Sequence, residues 1–214
     1  YSGDALQTVC RDEDCGRPLV ANYDLNAAQL SLSLETLRNR SDSMWRYGEV
    51  LLVDPSQAIT LGEGLTPLIR TDRLRAMAQG SSDTPFHLWV KDESSNPTGS
   101  FKARGLCMAI SVLNSLDASA AALPTAGNAG AAAAAYAARA GMDCHVAMPA
   151  DTPQTMMDEV EAYGAHLYTV DGLIGDAAKI IRKGAEEENW FDLSTLKEPY
   201  RVEGKKTMGY ELWE

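Results

Sequence analysis

The residues best suited to chemistry lie between Lys91 and Gly105, in the run Lys-Asp-Glu-Ser-Ser-Asn-Pro-Thr-Gly-Ser-Phe-Lys-Ala-Arg-Gly, with the amine of Lys102 set in a turn between two regular elements. Ahead of it, His87-Leu88-Trp89-Val90 predicts a short strand; behind it, Leu106, Ile110 and Leu113 recur at helical spacing and Leu116 continues the row. The intervening Ser94, Ser95, Asn96, Pro97, Thr98, Gly99 and Ser100 favour turns and caps, which places Lys102 near a helix N-terminus among free backbone N–H groups. A cation there opposes the helix dipole, and lysine gives up its proton readily when it is also buried. The neutral amine is the form that condenses with a carbonyl to give a Schiff base. A solvated lysine following a loop is the alternative, since most lysines are solvated, and spacing leaves both readings open.

A second candidate loop is Pro124-Thr125-Ala126-Gly127-Asn128-Ala129-Gly130, followed by the helix-favouring run Ala131 to Ala135, Tyr136, Ala137 and Ala138. Its N–H groups then point outward from a helix N-terminus, a site that suits a carboxylate or a phosphate. A plain N-cap ahead of a close-packed alanine helix explains the same residues.

The run Asn96-Pro97-Thr98-Gly99-Ser100-Phe101-Lys102-Ala103-Arg104-Gly105 resembles the pyridoxal-phosphate lysine motif of the tryptophan-synthase-β-like (fold type II) enzymes, most closely the threonine-synthase family among them. Three further stretches agree with it in order, so the resemblance covers about Gly62 to Leu212. Gly62-Glu63-Gly64-Leu65-Thr66-Pro67-Leu68 is similar to that family's Gly-Glu-Gly-x-Thr-Pro-Leu signature, the Asn128 loop resembles its asparagine loop, and Arg201-Val-Glu-Gly-Lys-Lys-Thr207 resembles its Arg-x-Glu-Gly-Lys-Lys-Thr stretch. The resemblance implies pyridoxal 5′-phosphate as cofactor, carried by Lys102 as an internal aldimine. Phe101 and Asn128 would help to hold it, with Asn128 at the 3′-oxygen, and Thr125, Ala126 and Gly127 would receive the substrate carboxylate. The implied reaction converts O-phospho-L-homoserine and water to L-threonine and phosphate. Ser95, Thr98, Ser100 and Thr125 are then candidates to bind the departing phosphate, and Lys205 to attract an anionic substrate. A threonine or serine dehydratase of the same fold and a non-catalytic fragment or binding module are the alternatives. Oligomeric state is open, a homodimer being one expectation.

From Asp83 onward short strands and helices alternate, with strands near 87–91, 120–124, 143–148, 166–170 and 189–192 and helices near 102–116, 129–141, 153–163 and 174–187. That alternation predicts an α/β fold with a mostly parallel sheet, helices on both faces, and ligands at the carboxyl ends of the strands. Residues 1–60 read as an N-terminal arm with a remnant cysteine knuckle, 61–120 and 190–214 as parts of a larger domain, and 121–189 as a smaller α/β domain. Within the arm, Leu30, Leu34 and Leu37 sit at helical spacing; Thr207 to Glu214 reads as a helix that simply stops, and the residues before it as a solvated, capped helix start. With no initiating Met, the chain reads as part of a longer protein lacking the C-terminal half. The resemblance assigns to that half the Gly-rich loop for the cofactor phosphate and the group that meets the pyridine nitrogen. The 214 residues alone are therefore expected to bind cofactor weakly and turn over slowly.

Composition excludes several classes. A net charge of −11 argues against a nucleic-acid or anionic-membrane partner, each of which needs a basic face. No apolar run reaches the roughly 18 residues of a membrane span and no signal peptide opens the chain, so a cytoplasmic location is expected. Cys10 and Cys15 form half of a zinc knuckle without a second pair nearby, and no metal site is expected. Gly62-Glu63-Gly64 has Pro67 in place of a dinucleotide loop's third glycine, and Gly204-Lys205-Lys206-Thr207 lacks the first glycine of a P-loop. His145 and His166 fall in strands without a ligand partner, and Met156 and Met157 read as core.

Overall fold

The computed structural model describes residues 1–80 and 86–214. The expected change of pattern at Asp83 lies outside the described residues. The N-terminal arm carries two single-turn helices, α1 (Leu25–Ala28) and α2 (Leu34–Leu37), followed by strand β1 (Leu68–Arg70), helix α3 (Asp72–Gln79) and strand β2 (Trp89–Lys91). The alternating region then runs α4 (Lys102–Ser115), β3 (Ala120–Pro124), α5 (Asn128–Ala140), β4 (Asp143–Pro149), α6 (Gln154–Ala162), β5 (His166–Val170), α7 (Ile174–Glu187) and β6 (Phe191–Asp192), and the chain closes with α8 (Tyr200–Lys205) and α9 (Thr207–Trp213).

The fold is α/β, as the alternation predicts: β5, β4, β3 and β6 pair in that order, every pairing parallel. Side chains alternate across a strand, and the two faces bury different partners. Ala121, Leu123, Val146 and Met148 join the main core with α4 and α5, whereas Ala122 and Ala147 meet Ala177 and Ile181 of α7. The alanines of α5 let that helix lie flat between the sheet and α4, and Gly141 in the left-handed conformation (φ 68°) ends it. His145 and His166 stack 4.8 Å apart, and His145 Nδ1 lies 3.1 Å from the Tyr168 hydroxyl.

Several expectations need correction. The strand ahead of the lysine loop does not join the parallel sheet: β2 pairs antiparallel with β1 in a separate two-stranded ribbon, Ile69 opposite Val90. Three residues are too short for periodicity to reveal β1, and partner choice is a long-range property. Leu30, Leu34 and Leu37 do not share one helix; Ser33 starts α2 afresh with a capping box, Leu37 is buried, and Leu30 is exposed. Helix α3, which the alternation did not include, buries no residue, and Leu74 and Met77 on it are exposed. The charged stretch before Thr207 is not a solvated helix start, since Arg201 and Glu203 are both 4% exposed in α8.

What buries α8 is a helix crossing made through two glycines. A Cβ on Gly204 would stand 1.9 Å from the Arg104 carbonyl oxygen, and one on Gly105 would stand 2.9 Å from the Arg201 carbonyl oxygen. Backbones this close admit no side chain at either position. Gly204→Ala is expected to push α8 off α4 and cost roughly 1–3 kcal/mol, the range for overpacking a core. An unchanged urea midpoint in that variant would show that the crossing is not tight.

Candidate active site

Lys102 is the first residue of α4, and the turn before it is pinned from several sides. Asn96 is buried; its Oδ1 accepts from the Gly64 N–H at 3.1 Å, and its Nδ2 donates to Glu93 Oε2 at 2.8 Å. The Gly99 N–H returns to the Asn96 carbonyl at 2.9 Å, and Ser100 Oγ accepts from the Lys102 N–H at 3.3 Å. Within this turn Thr98 holds a left-handed conformation (φ 59°) that a β-branched residue seldom adopts, and its buried hydroxyl has no hydrogen-bond partner. Strain and an orphaned polar atom together single Thr98 out within the turn.

The Lys102 amine lies 4.0 Å from the centroid of the Phe101 ring. Lys205 of α8 reaches the same ring from the other helix, its Nζ 5.8 Å from the centroid. Among the described residues neither amine has a carboxylate partner. Burial and then the nearby Arg201 guanidinium hold Lys102 below the ordinary lysine range. Burial, Arg201 and Lys102 together bring Lys205 down to about 8, with Glu198 opposing them. Glu198 is 1% exposed and caps α8: its Oε2 accepts from the Tyr200 and Arg201 N–H groups at 2.5 and 2.9 Å, while Oε1 has no partner and burial raises the carboxyl to about 6. Arg201 donates from one terminal nitrogen to the Leu193 carbonyl at 2.5 Å, and its Nε is buried without a partner.

The second loop leaves the carboxyl end of β3 and turns directly into α5. Thr125 is fixed to β4 by its N–H on the Ala147 carbonyl at 2.9 Å, and its Oγ1 accepts from the Gly127 N–H at 3.2 Å. Ala126 and Asn128 are exposed, and a Cβ on Gly127 would lie 4.0 Å from Met156 Sδ. Helix α5 packs against the 97–99 turn, so the two sequence-predicted loops are neighbours in space. The four candidate hydroxyls are not equivalent. Ser95 is exposed and donates to the Asp92 carbonyl, Ser100 and Thr125 are tied to backbone as above, and Thr98 alone of the four is uncommitted.

A family described as pyridoxal-phosphate dependent enzyme matches residues 59–214. The chain belongs to this family. Among curated relatives of this pyridoxal-phosphate-dependent chain, threonine synthase of Methanocaldococcus jannaschii is 35% identical over 99% of the chain and 51% of its own length, and that of Methanosarcina acetivorans is 33% identical over 99% and 50%. The chain thus spans about half the length of the curated relatives it matches. A solved pyridoxal 5′-phosphate-dependent aspartate racemase is 28% identical over 69% of the chain and 45% of its own, with a TM-score of 0.61. Pyridoxal 5′-phosphate is the family's cofactor, and the residues here fit it: an unpaired amine of lowered basicity beside a flat ring, next to the open N–H groups that begin α5.

Sequence reasoning assigned Arg104 no role, yet it ties the lysine loop to the rest of the chain. Fully buried, it donates from Nε to Glu93 Oε2 at 2.7 Å and from its two terminal nitrogens to Glu211 Oε1 and Oε2 at 2.5 and 2.8 Å, with Thr207 Oγ1 at 3.0 Å and Thr66 Oγ1 at 3.2 Å. Lys91 also pairs with Glu211 at 2.6 Å. The only signal for this was an arginine on a helix whose neighbouring residues are apolar. Burial raises both carboxyls, but Arg104 and the other donors outweigh it and hold Glu93 and Glu211 below the usual carboxylate range. Groups with depressed folded pKa stabilise the protein above their unfolded pKa, and that stability is lost as pH falls through the folded value. Arg104→Leu, which leaves two carboxylates without their counter-charge, is expected to cost roughly 3–5 kcal/mol at neutral pH. It should also flatten the loss of stability on acidification. Parallel urea titrations of both proteins between neutral and acid pH measure both effects, and equal slopes would refute the clamp.

Proposed function

We propose that the chain is the lysine-bearing half of a threonine synthase, converting O-phospho-L-homoserine and water to L-threonine and phosphate. The observation that carries this reading is the pair of amines on the Phe101 ring, Lys102 and Lys205, neither of them paired among the described residues, with the buried Arg201 and its unpartnered Nε on the same helix as Lys205 and a helix N-terminus beside them. A substrate with a carboxylate at one end and a phosphate at the other needs two such anion sites. The names and identities of the curated relatives support the same reaction over that of a dehydratase, whose hydroxyl substrate needs only one.

When bound, pyridoxal 5′-phosphate supplies an aldehyde for an amine and an electron-withdrawing ring. Lys102 is the residue placed to capture that aldehyde and afterwards, as a free base, to move protons at the α and β carbons of the substrate. Phe101 packs beside the amine, and Asn128 would hold the cofactor's 3′-oxygen. The first turn of α5, with Thr125, Ala126 and Gly127, receives the substrate carboxylate. Thr98, with its uncommitted hydroxyl, together with Arg201 and Lys205, receives the phosphate. The domain reading of the sequence goes with this: the site lies between the lysine loop of a larger domain and the asparagine loop of a smaller one. A cytoplasmic location suits a biosynthetic enzyme, and no helix among the described residues is long and apolar enough to cross a membrane.

Two measurements test the reading. Borohydride added to the chain with pyridoxal 5′-phosphate should fix the cofactor on the peptide holding Lys102 and on no peptide in Lys102→Ala. In a full-length protein carrying this segment, phosphate should be released from O-phosphohomoserine, and Thr98→Ala should raise KM by about tenfold, the loss of one hydrogen bond to a charged group. Labelling at another lysine, or ammonia release from threonine without phosphate release from phosphohomoserine, would refute the assignment.

A further inference from the structure

We propose that α8 is an activating element for the lysine: Arg201 and Lys205, pressed against the first turn of α4, favour the uncharged Lys102 amine that attacks an aldehyde. The inference rests on the reading that Lys102 is the aldehyde-capturing residue, and it assigns to α8 a role separate from docking an anion.

The geometry is unusual for three cations. Buried or half-buried cations are ordinarily paired. Here, among the described residues, neither Lys102 nor Lys205 is paired, and both amines crowd one phenyl ring at 4.0 and 5.8 Å. The crowding is built into the backbone. Glycine at 105 and 204 brings the helices close enough that Lys205 Cε lies 3.0 Å, and the Arg201 carbonyl 2.9 Å, from where a Cβ on Gly105 would be. Larger residues at either position would move the cations away.

The other groups that face this corner do not neutralise it. Glu198, just before α8, turns one oxygen onto the Tyr200 and Arg201 N–H groups and sits deeply buried. Asp192, which also faces Arg201, accepts from the Ser194 N–H and hydroxyl at 2.8 and 2.5 Å. Arg104 and Glu93 are spent on each other. The 97–99 turn and the first turn of α5 bring only neutral side chains, Pro97, Thr98 and Asn128 among them. Like charges at short range disfavour each other's protonated form, and two interacting amines titrate as a pair in which one is held neutral. Arg201 is the like charge that, after burial, lowers Lys102, and Arg201 and Lys102 are the like charges that, after burial, lower Lys205.

The consequence is readable without cofactor or substrate. In reductive methylation the neutral Nζ attacks the formaldehyde carbon, two amine protons leave with the carbonyl oxygen as water, and cyanoborohydride delivers hydride to the resulting imine, which takes up one proton. The rate at Lys102 therefore follows its neutral fraction. The chain is treated with isotopically labelled formaldehyde and cyanoborohydride from about pH 6 to about pH 11 in phosphate-free buffer, and the peptide holding Lys102 is quantified by mass spectrometry. In Lys205→Met and in Arg201→Met the pH midpoint for Lys102 should rise by about one unit, a tenfold loss of neutral amine at neutral pH. Lys205→Arg, which keeps the charge, should retain the low midpoint, and Lys183→Met on the exposed face of α7 should leave it unchanged. Lys205 is partly exposed, so its variants report even where loss of Arg201 from the Leu193 carbonyl unfolds the chain. A Lys102 midpoint that is the same in Lys205→Met as in the parent overturns the proposal and leaves α8 a docking or packing helix. Cofactor fixed by borohydride on a lysine other than Lys102 overturns instead the reading beneath it, whatever the midpoints show.

Discussion

Arg104 sits in the interior with no exposure at all, and it is tolerable there only because two carboxylates approach it from different parts of the chain. Glu93 comes from the loop that precedes the lysine, and Glu211 from α9 at the other end of the sequence. A buried guanidinium demands this degree of satisfaction, because an unpaired charge away from water is among the costliest features a protein can carry. The same carboxylates hold further backbone and side-chain donors: Leu65 N–H and Lys91 on Glu211, Thr66 and Asn96 on Glu93. One charge thus fixes the lysine loop, the Gly62–Pro67 segment and α9 relative to α4. A buried ion network of this kind is weak evidence for stability but good evidence for a single geometry, which a nucleophile needs.

Glu63 supplies a second tie of similar character. Fully buried, it accepts from the Trp45 indole N–H and the Tyr136 hydroxyl, both at 2.6 Å, and so joins the N-terminal arm to α5 behind the site. Gly64 beside it runs at φ 99° with Met44 N only 2.3 Å from where a Cβ would stand, a combination open to glycine alone. The glycines and acid of this segment therefore serve close packing and charge satisfaction, and the segment is the neighbour of the lysine loop through the Gly64 to Asn96 hydrogen bond.

These ties leave the reactive corner itself with unmet electrostatic demands. Among the described residues no carboxylate pairs with Lys102 or Lys205, Glu198 and Asp192 face Arg201 while bonded elsewhere, and Thr98 keeps a strained backbone and an unpartnered hydroxyl in the turn before Lys102. The contrast between a fully satisfied arginine and poorly satisfied cations on neighbouring helices sets the Arg104 ion network apart from the cluster that the proposed function uses, a distinction that perturbed basicity alone does not make.

The alternation of short strands and helices, the placement of Lys102 at the start of α4 and of Asn128 at the start of α5, and the turns that precede both helices were all legible in the sequence. Each is decided by local periodicity and by turn residues within a few positions. The pairing of β2 with β1 outside the parallel sheet, the burial of α8 against α4, and the Arg104 clamp were not. They depend on contacts such as Arg104 with Glu211, 107 positions apart, and on glycines whose absent side chains matter only once a second helix lies against them. Local preferences placed the amine at a helix end; only the folded chain decided which charges would surround it.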